Sequence, residues 1–471
     1  MAETGPTPRR VVWITTDHMR FDCVAAYGNS AIHTPNLDAL AAGGVNFLNC
    51  FGQNPVCMPS RASFMTGLYP QQTHVTQNGH CLPPEFRPTV ASVFGAAGYE
   101  TAQIGKLHFQ PHENHDLDPR PRHTYGFDVF WPSEEKGCYE DAYMAWLRGR
   151  YPQHVDAFRI PRPTSAERMA WETPAPHVVE APWQASQAGW VVETAERYFA
   201  ARPGGRRLVH LGFYNPHPPL NPTREAFAPY EGAAIPSPRF GEDEWAGKPE
   251  PLASQLRRRS GWSEADLLEY RRSFYAMVTE VDLAVGRLVD WFRADGTLDD
   301  TLIVFSSDHG DMCGDHRMTH KGCFFDEVMH LPLILHWPAG LGTQRRDLTG
   351  LVEMVDLLPT LLGLCRAAVP DVMAGRSCAA DLLAGHTPDG REDVFAYHGA
   401  GQAMLRTDRW KYLRYEPQGT EVLFDLSQAP PETTDRAVDP ACAEVLAEMR
   451  QRMLARSLAA SRSPLPRPHP F

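Results

Sequence analysis

Val11-Val12-Trp13-Ile14-Thr15-Thr16-Asp17-His18 is a β-type run that ends, with no turn residue between, on a carboxylate and an imidazole. Its first four residues are apolar at consecutive positions, which suits a strand covered on both faces, as in a parallel sheet flanked by helices. The same pattern returns three times. Residues 101–104 pass through Gly105 to Lys106-Leu107-His108, residues 208–213 lead to Asn215-Pro216-His217, and residues 302–307 lead to Asp308-His309-Gly310. Ligands of open α/β sheets bind beyond the carboxyl ends of the strands, so four such endings predict one site on one edge of a sheet.

The segments between these runs carry helical signals. Residues 35–42 form a helix pattern with Thr34 as N-cap, Pro35 in the first position and Gly43-Gly44 behind. Ser263-Glu264-Ala265-Asp266 opens a long amphipathic stretch to residue 294 with a capping-box-like start. Residues 331–337 read as one more buried strand. Alternating strands and helices of this kind predict an α/β fold: a large mixed, mostly parallel sheet sandwiched by helices. Residues 111–190, rich in Pro, His, Trp and charge, read as long loops over one face. From about residue 380 the pattern changes. Residues 403–406 and 410–415 flank the turn Thr407-Asp408-Arg409, residues 422–426 add a third strand, and a helix near 441–458 precedes a Pro-rich tail. The expected division is a catalytic domain over 1–380, with 111–190 as its lid or substrate region, and a small C-terminal α+β subdomain over 381–471.

A net charge of -12 argues against nucleic acid or an anionic membrane as partner. MAETGPTPRR lacks the apolar stretch of a signal peptide, and no run approaches the roughly 20 apolar residues of a membrane span. The ten cysteines include no CxxC pair, so reduced thiols and a cytoplasmic location are the expectation.

Asp17, His18, Asp308 and His309 are candidate ligands of a divalent metal. Carboxylates favour calcium or magnesium, while imidazoles lean toward manganese, iron or zinc. A single Asp after a strand would read as a helix N-cap, but the Asp-His pair occurs at two strand ends. Residues 59–66 can form a helix closed by Gly67, which puts Cys57 at its N-terminus, where backbone amides and the dipole favour an anion. Arg61 lies one helical turn further on, within reach of a charge held there. Most cysteines are small core residues, and a plain thiol nucleophile with His108 or His217 as base is the competing catalytic reading.

Cys57-x-Pro59-Ser60-Arg61, continued by Thr66-Gly67, resembles the signature of the formylglycine-dependent sulfatases of the alkaline phosphatase superfamily, and the chain is similar also to phosphonate monoester hydrolases. The resemblance runs on through Thr34-Pro35-Asn36-Leu37-Asp38, Gly105-Lys106-x-His108, Asn215-Pro216-His217-Pro218, Asp308-His309-Gly310-Asp311, Lys321-Gly322, Trp410-Lys411-Tyr412 and Leu423-Phe424-Asp425-Leu426. It implies an alkaline phosphatase-like fold, hydrolysis of a small anionic sulfate ester, and one divalent ion, calcium or manganese. It implies further that a formylglycine-generating enzyme oxidises Cys57, whose hydrated aldehyde is both nucleophile and metal ligand beside Asp17, His18, Asp308 and His309. Arg61 and Lys106 would hold the diol; Lys321 and His217 would bind the sulfate and help the alcohol depart. His108 would take a proton from the remaining hydroxyl, so that the covalent intermediate collapses to aldehyde and sulfate.

Position 18 departs from the family, which has Asp or Gln there. Asn78, in Gln77-Asn78-Gly79, resembles a substrate-contacting asparagine of the phosphonate monoester hydrolases, although Asn-Gly is also a turn dipeptide. The Lys106-x-His108 pair ranks a sulfate ester ahead of a phosphonate monoester or phosphodiester. A non-catalytic metal- or anion-binding relative would need one of these roles missing, and each has a candidate. Counted as charges, Arg61, Lys106, Lys321 and a divalent ion outweigh Asp17 and Asp308, which makes a positive pocket in an acidic chain. Asp311, Asp315, His316 and His320 read as structural hydrogen-bonders. Trp131, Tyr139, Trp171 and Trp183, with Glu134, Glu135, Glu140 and Asp141, read as a lid or a contact in a homo-oligomer ahead of a clasp for a cationic or sugar leaving group.

Overall fold

The computed structural model describes residues 5–110, 123–161, 177–241, 250, 252–253, 262–399 and 401–462. Its strands, in chain order, are β1 (Arg10–Thr16), β2 (Val45–Phe47), β3 (Cys50–Phe51), β4 (Glu100–Gly105), β5 (Val129–Pro132), β6 (Arg207–Gly212) and β7 (Thr301–Ser307). There follow β8 (His330–Leu331), β9 (Leu333–His336), β10 (Arg346–Leu348), β11 (Val352–Glu353), β12 (Val394–His398), β13 (Gln402–Arg406), β14 (Trp410–Tyr415) and β15 (Thr420–Asp425). The main sheet runs β10-β2-β9-β7-β1-β6-β4-β5, and within it only β9 pairs antiparallel.

β7, β1, β6 and β4 are consecutive, parallel and in register: Thr16 pairs with Ser307, Thr15 with Gly212, and Gly212 with Gly105. The four polar endings therefore leave the sheet from one edge, as the sequence predicts. β1 is buried along its whole length. Val12 and Ile14 face the layer that contains the helices Gln187–Ala200 and Glu264–Ala294, while Val11 and Trp13 face the layer of Cys57–Thr66 and Leu357–Leu364. Alternate side chains on opposite faces, both covered, account for its unbroken apolar run.

β12 to β15 form a separate antiparallel sheet in sequential order. One face packs Phe395, Leu405, Tyr412 and Leu423 on Leu446, Met449 and Met453 of the helix Ala443–Ala460. The other packs Met404, Leu413, Val422 and Phe424 on Met312, Met318, Cys323, Phe324 and Phe325. No helix of the described residues is long and apolar enough to cross a membrane.

Several local readings are corrected. Residues 331–337 are not one strand: the chain breaks at Pro332, so β8 joins β3 and β11 in a three-stranded sheet while β9 joins the main one. Thr34 makes no side-chain cap to the helix Pro35–Ala42. Its hydroxyl bonds Asp38 and the Ala25 amide, and the carboxylate of Asp282, on the long helix Glu264–Ala294, accepts the free amides of Asn36 and Leu37. The 111–190 region is more than loop, since it supplies β5 and the helix Ala142–Arg150, capped by Asp141. Trp183 is buried in the core, Trp131 packs against that core, and Glu140 pairs with Arg148 and Arg159. Trp171 lies outside the described residues.

Candidate active site

The helix Cys57–Thr66 starts directly on Cys57, with Val56 as N-cap and all ten residues buried. Val56 has no side-chain acceptor, so neighbours serve the helix start: Asn54 Oδ1 accepts the Val56 amide at 3.0 Å and Asn78 Oδ1 accepts the Met58 amide at 3.1 Å. Pro59 sits in the first turn, where its missing N–H costs nothing, and Gly67 closes the helix at φ 70°. Asn78 is thus placed at the helix N-terminus, with its side-chain oxygen engaged there.

Around the Cys57 sulfur the strand ends converge. Lys321 Nζ donates to Sγ at 2.6 Å, His309 Nε2 lies at 3.3 Å and Asp17 Oδ1 at 3.8 Å. Arg61 does not turn back to the sulfur. Its Nε donates to Asp308 Oδ2 at 2.7 Å and its Nη1 to the Lys106 carbonyl at 3.0 Å, with Asp17 Oδ2 3.5 Å from Nη2. Lys106 Nζ stands 2.7 Å from Asp17 Oδ2. Burial raises the Asp17 carboxyl, but Lys106 above all, with His217, Lys321 and Arg61, holds it well below the usual carboxylate range. Burial opposes the Lys106 charge in turn, and Asp17 holds that ammonium above its ordinary value.

Two imidazoles have tautomers set from behind. His309 Nδ1 donates to the Gly310 carbonyl at 2.9 Å, and His18 Nδ1 to Asp311 Oδ2 at 2.9 Å. Each then turns the lone pair of Nε2 inward, and the His18 Nε2 is buried with no hydrogen-bond partner. Burial pushes both imidazoles down, so they are neutral ligand-ready rings. Donor atoms of Asp17, Cys57, Asp308 and His309 lie within 4.8 Å of one another, as do those of Asp17, His18, Cys57 and His217. His217 reaches Lys321 Nζ with Nε2 at 3.3 Å, its Nδ1 held by the Tyr214 hydroxyl and the Pro218 carbonyl. His108 follows β4 at φ 60° and is buried.

Asp311 was legible only as a structural polar residue, yet it orients His18 and is a buried negative charge that the sequence count of the pocket omits, so the pocket is less positive than counted. Asp315 is structural, paired with Arg20 and Arg271. Glu280 escaped notice altogether. It accepts from Asn215 at 2.8 Å and from Thr223, with Lys136 at 3.8 Å, and so anchors the turn before His217. A glutamate within the apolar stripe of an amphipathic helix, beside Ala276, Val281 and Ala284, is the signal that could have found it. Glu135 serves the same turn through the Tyr214 hydroxyl at 2.8 Å.

Known proteins share this architecture from end to end. The phosphonate monoester hydrolase of Agrobacterium radiobacter superposes with a TM-score of 0.81 at 27% identity, covering 96% of each chain. An arylsulfatase of Clostridium perfringens is 29% identical over 445 residues, 90% of this chain and 89% of that one. The multifunctional alkaline phosphatase superfamily protein PehA of Trinickia caryophylli is 27% identical over 496 residues, 95% of each chain. Fold and site define a hydrolase of the alkaline phosphatase superfamily. The family model described as Sulfatase matches residues 9–367, and that of the N-sulphoglucosamine sulphohydrolase C-terminal region matches 314–458. The chain belongs to the sulfatase family, the sulfuric ester hydrolases.

Proposed function

We propose that this protein hydrolyses a sulfate monoester to an alcohol and inorganic sulfate, with a nucleophile derived from Cys57 and a divalent ion, calcium or manganese, held by Asp17, His18, Asp308 and His309. The observation that carries the reading is the Cys57 side chain at a helix N-terminus, ringed by Lys321, His309 and Asp17. The donors fall in two overlapping groups that share Asp17 and Cys57, one with Asp308 and His309 and the other with His18 and His217. The buried His18 Nε2 has no hydrogen-bond partner, and carboxylates and imidazoles of this kind suit a divalent ion. Formylglycine made from Cys57 would supply a hydrated aldehyde as nucleophile, and the ion would lower a hydroxyl pKa and polarise the ester.

The remaining roles belong to the chain. Lys321 and His217, in contact across the Cys57 sulfur, bind the oxygens of the transferred group, and the Lys321 ammonium offsets charge on the departing alcohol. His217 is kept in one orientation by Tyr214, itself braced on Glu135. Lys106 keeps Asp17 ionised, Arg61 aligns Asp17 and Asp308, and His108 is the base that returns Cys57's derivative to its resting state. A direct thiol nucleophile fits less well. Burial and Asp17 push the Cys57 thiol up to about 11 despite Lys321 and Lys106, whereas reactive cysteines have lowered values.

The test is a rate comparison on matched aryl sulfate, phosphonate monoester and phosphodiester substrates. The sulfate is expected to have the largest kcat/KM. A preference for the phosphonate would support the second reading, a phosphonate monoester hydrolase, which the Agrobacterium radiobacter neighbour favours.

His18 gives a separate prediction. His18→Ala is expected to weaken binding of the divalent ion at least about tenfold, measured by calorimetry on the metal-stripped protein. Unchanged affinity and metal content would remove His18 from the ligand set.

A further inference from the structure

Lys321 is carried by a short segment that lies between the catalytic helix and the C-terminal sheet. On one side the Gly322 amide donates to the carbonyl of Pro55, two residues before Cys57, at 3.2 Å. On the other, Cys323, Phe324 and Phe325 are buried against Met404, Leu413, Val422 and Phe424 of β13, β14 and β15. Apolar packing alone fixes such a segment loosely, because it is non-directional.

Directional hold comes from Lys411 on β14. Its side chain is fully buried, and its three ammonium protons have three acceptors: the Phe324 carbonyl at 2.9 Å, Glu432 Oε1 at 2.6 Å and the carboxylate of Asp326. Glu432 Oε2 takes the Asp326 amide at 2.9 Å, and Arg406 of β13 lies 3.4 Å from Asp326. Burial works against the Lys411 charge, yet Asp326 and Glu432 hold it above its ordinary value. With an acceptor for each of its three ammonium protons, Lys411 is held in one place and grips the chain at residues 324 and 326, three and five positions beyond Lys321. A catalytic group has to be held within about 0.5 Å of its working position.

We propose that Lys411 is a positioning residue for Lys321: its ion pairs with Asp326 and Glu432 fix the 321–326 segment, which makes the C-terminal sheet a working part of the hydrolytic site. This deepens the proposed function and rests on Lys321 acting in ester hydrolysis.

The test is a double-mutant cycle in kcat/KM on an activated aryl sulfate, whose good leaving group keeps slow variants measurable. Lys411→Met is paired with Glu432→Gln so that the buried Glu432 carboxylate is not stranded, Asp326 keeps Arg406 at 3.4 Å, and the melting temperature verifies folding. In the parent enzyme the pair is expected to lower kcat/KM about tenfold or more, and in a Lys321→Ala background less than about twofold, because the residue it positions is gone. Lys411→Arg, which keeps the charge, is expected to recover part of the loss. Equal losses in both backgrounds, or no loss in the parent, overturn the proposal alone. A Lys321→Ala enzyme as active as the parent removes the catalytic reading of Lys321, and the proposal with it.

Discussion

Cys57→Ala is expected to lower kcat/KM for the sulfate ester by roughly 10⁴-fold or more, since loss of a nucleophile leaves only the catalysis that binding groups supply. The fold should survive. Cys57 is a small side chain in a helix whose start is served by Asn54 and Asn78, and neither contact involves the sulfur. Lys321 loses its contact with the sulfur but keeps His217 at 3.3 Å and Asp17 at 4.0 Å, while Asp17 stays on Lys106 and Asp308 on Arg61. Stability should therefore change by only about 1 kcal/mol, and circular dichroism with urea unfolding checks that half of the prediction. Retained turnover would sink the nucleophile assignment.

The chemical state of Cys57 is a second measurement on the same residue. The peptide mass across residues 54–61 should correspond to an aldehyde in active enzyme. At 1% exposure Cys57 is shielded in the folded chain, so an enzymatic oxidation would have to precede closure of the site. An unmodified thiol in fully active protein would defeat the formylglycine reading.

What the sequence made legible was whatever a short run of residues decides. Val11 to Ile14 is apolar at consecutive positions because both faces of β1 are covered, and the residues after β1, β4, β6 and β7 could be grouped because parallel neighbours end on one edge. The helix from Cys57 was legible from Pro59 and Gly67. Contacts made across long separations were not. Asp282 caps a helix 246 residues away, and Asp311 fixes His18 from 293 residues away, so nothing local to either carboxylate announces its partner. β12 was missed because Val394–His398 is a single edge strand whose pairing with β13 exists only once the hairpin has formed. Pro332 was a local sign overlooked, since a residue without an N–H interrupts a strand, and Glu280 in its apolar stripe was another.

Arg61 is the clearest case of spacing that finds the right residue and the wrong contact, and it carries the largest expected loss of stability. One helical turn from Cys57, it was expected within reach of a charge held at the helix N-terminus, and its guanidinium instead pairs with carboxylates under the site. There it ties the helix to the ends of three strands through Asp308, Asp17, and the carbonyls of Lys106 and Thr16. Burial opposes its charge, and Asp308 and Asp17 hold it above its ordinary value. Arg61→Met would leave Asp308 with amide donors alone, from His18 and His309, while Asp17 keeps Lys106. Removing one partner of a buried ion pair costs about 3–5 kcal/mol, and that is the loss expected from urea unfolding of the metal-free variant. Arg61→Lys should recover little, because a point charge cannot span two carboxylates and a carbonyl as the planar fork does. A divalent ion held by Asp17 and Asp308 would supply the charge that the variant lacks. Added manganese or calcium should therefore stabilise Arg61→Met by more than it stabilises the parent. A variant as stable as the parent would show that the two carboxylates do not depend on Arg61, and one indifferent to added ion would show that they do not share a metal.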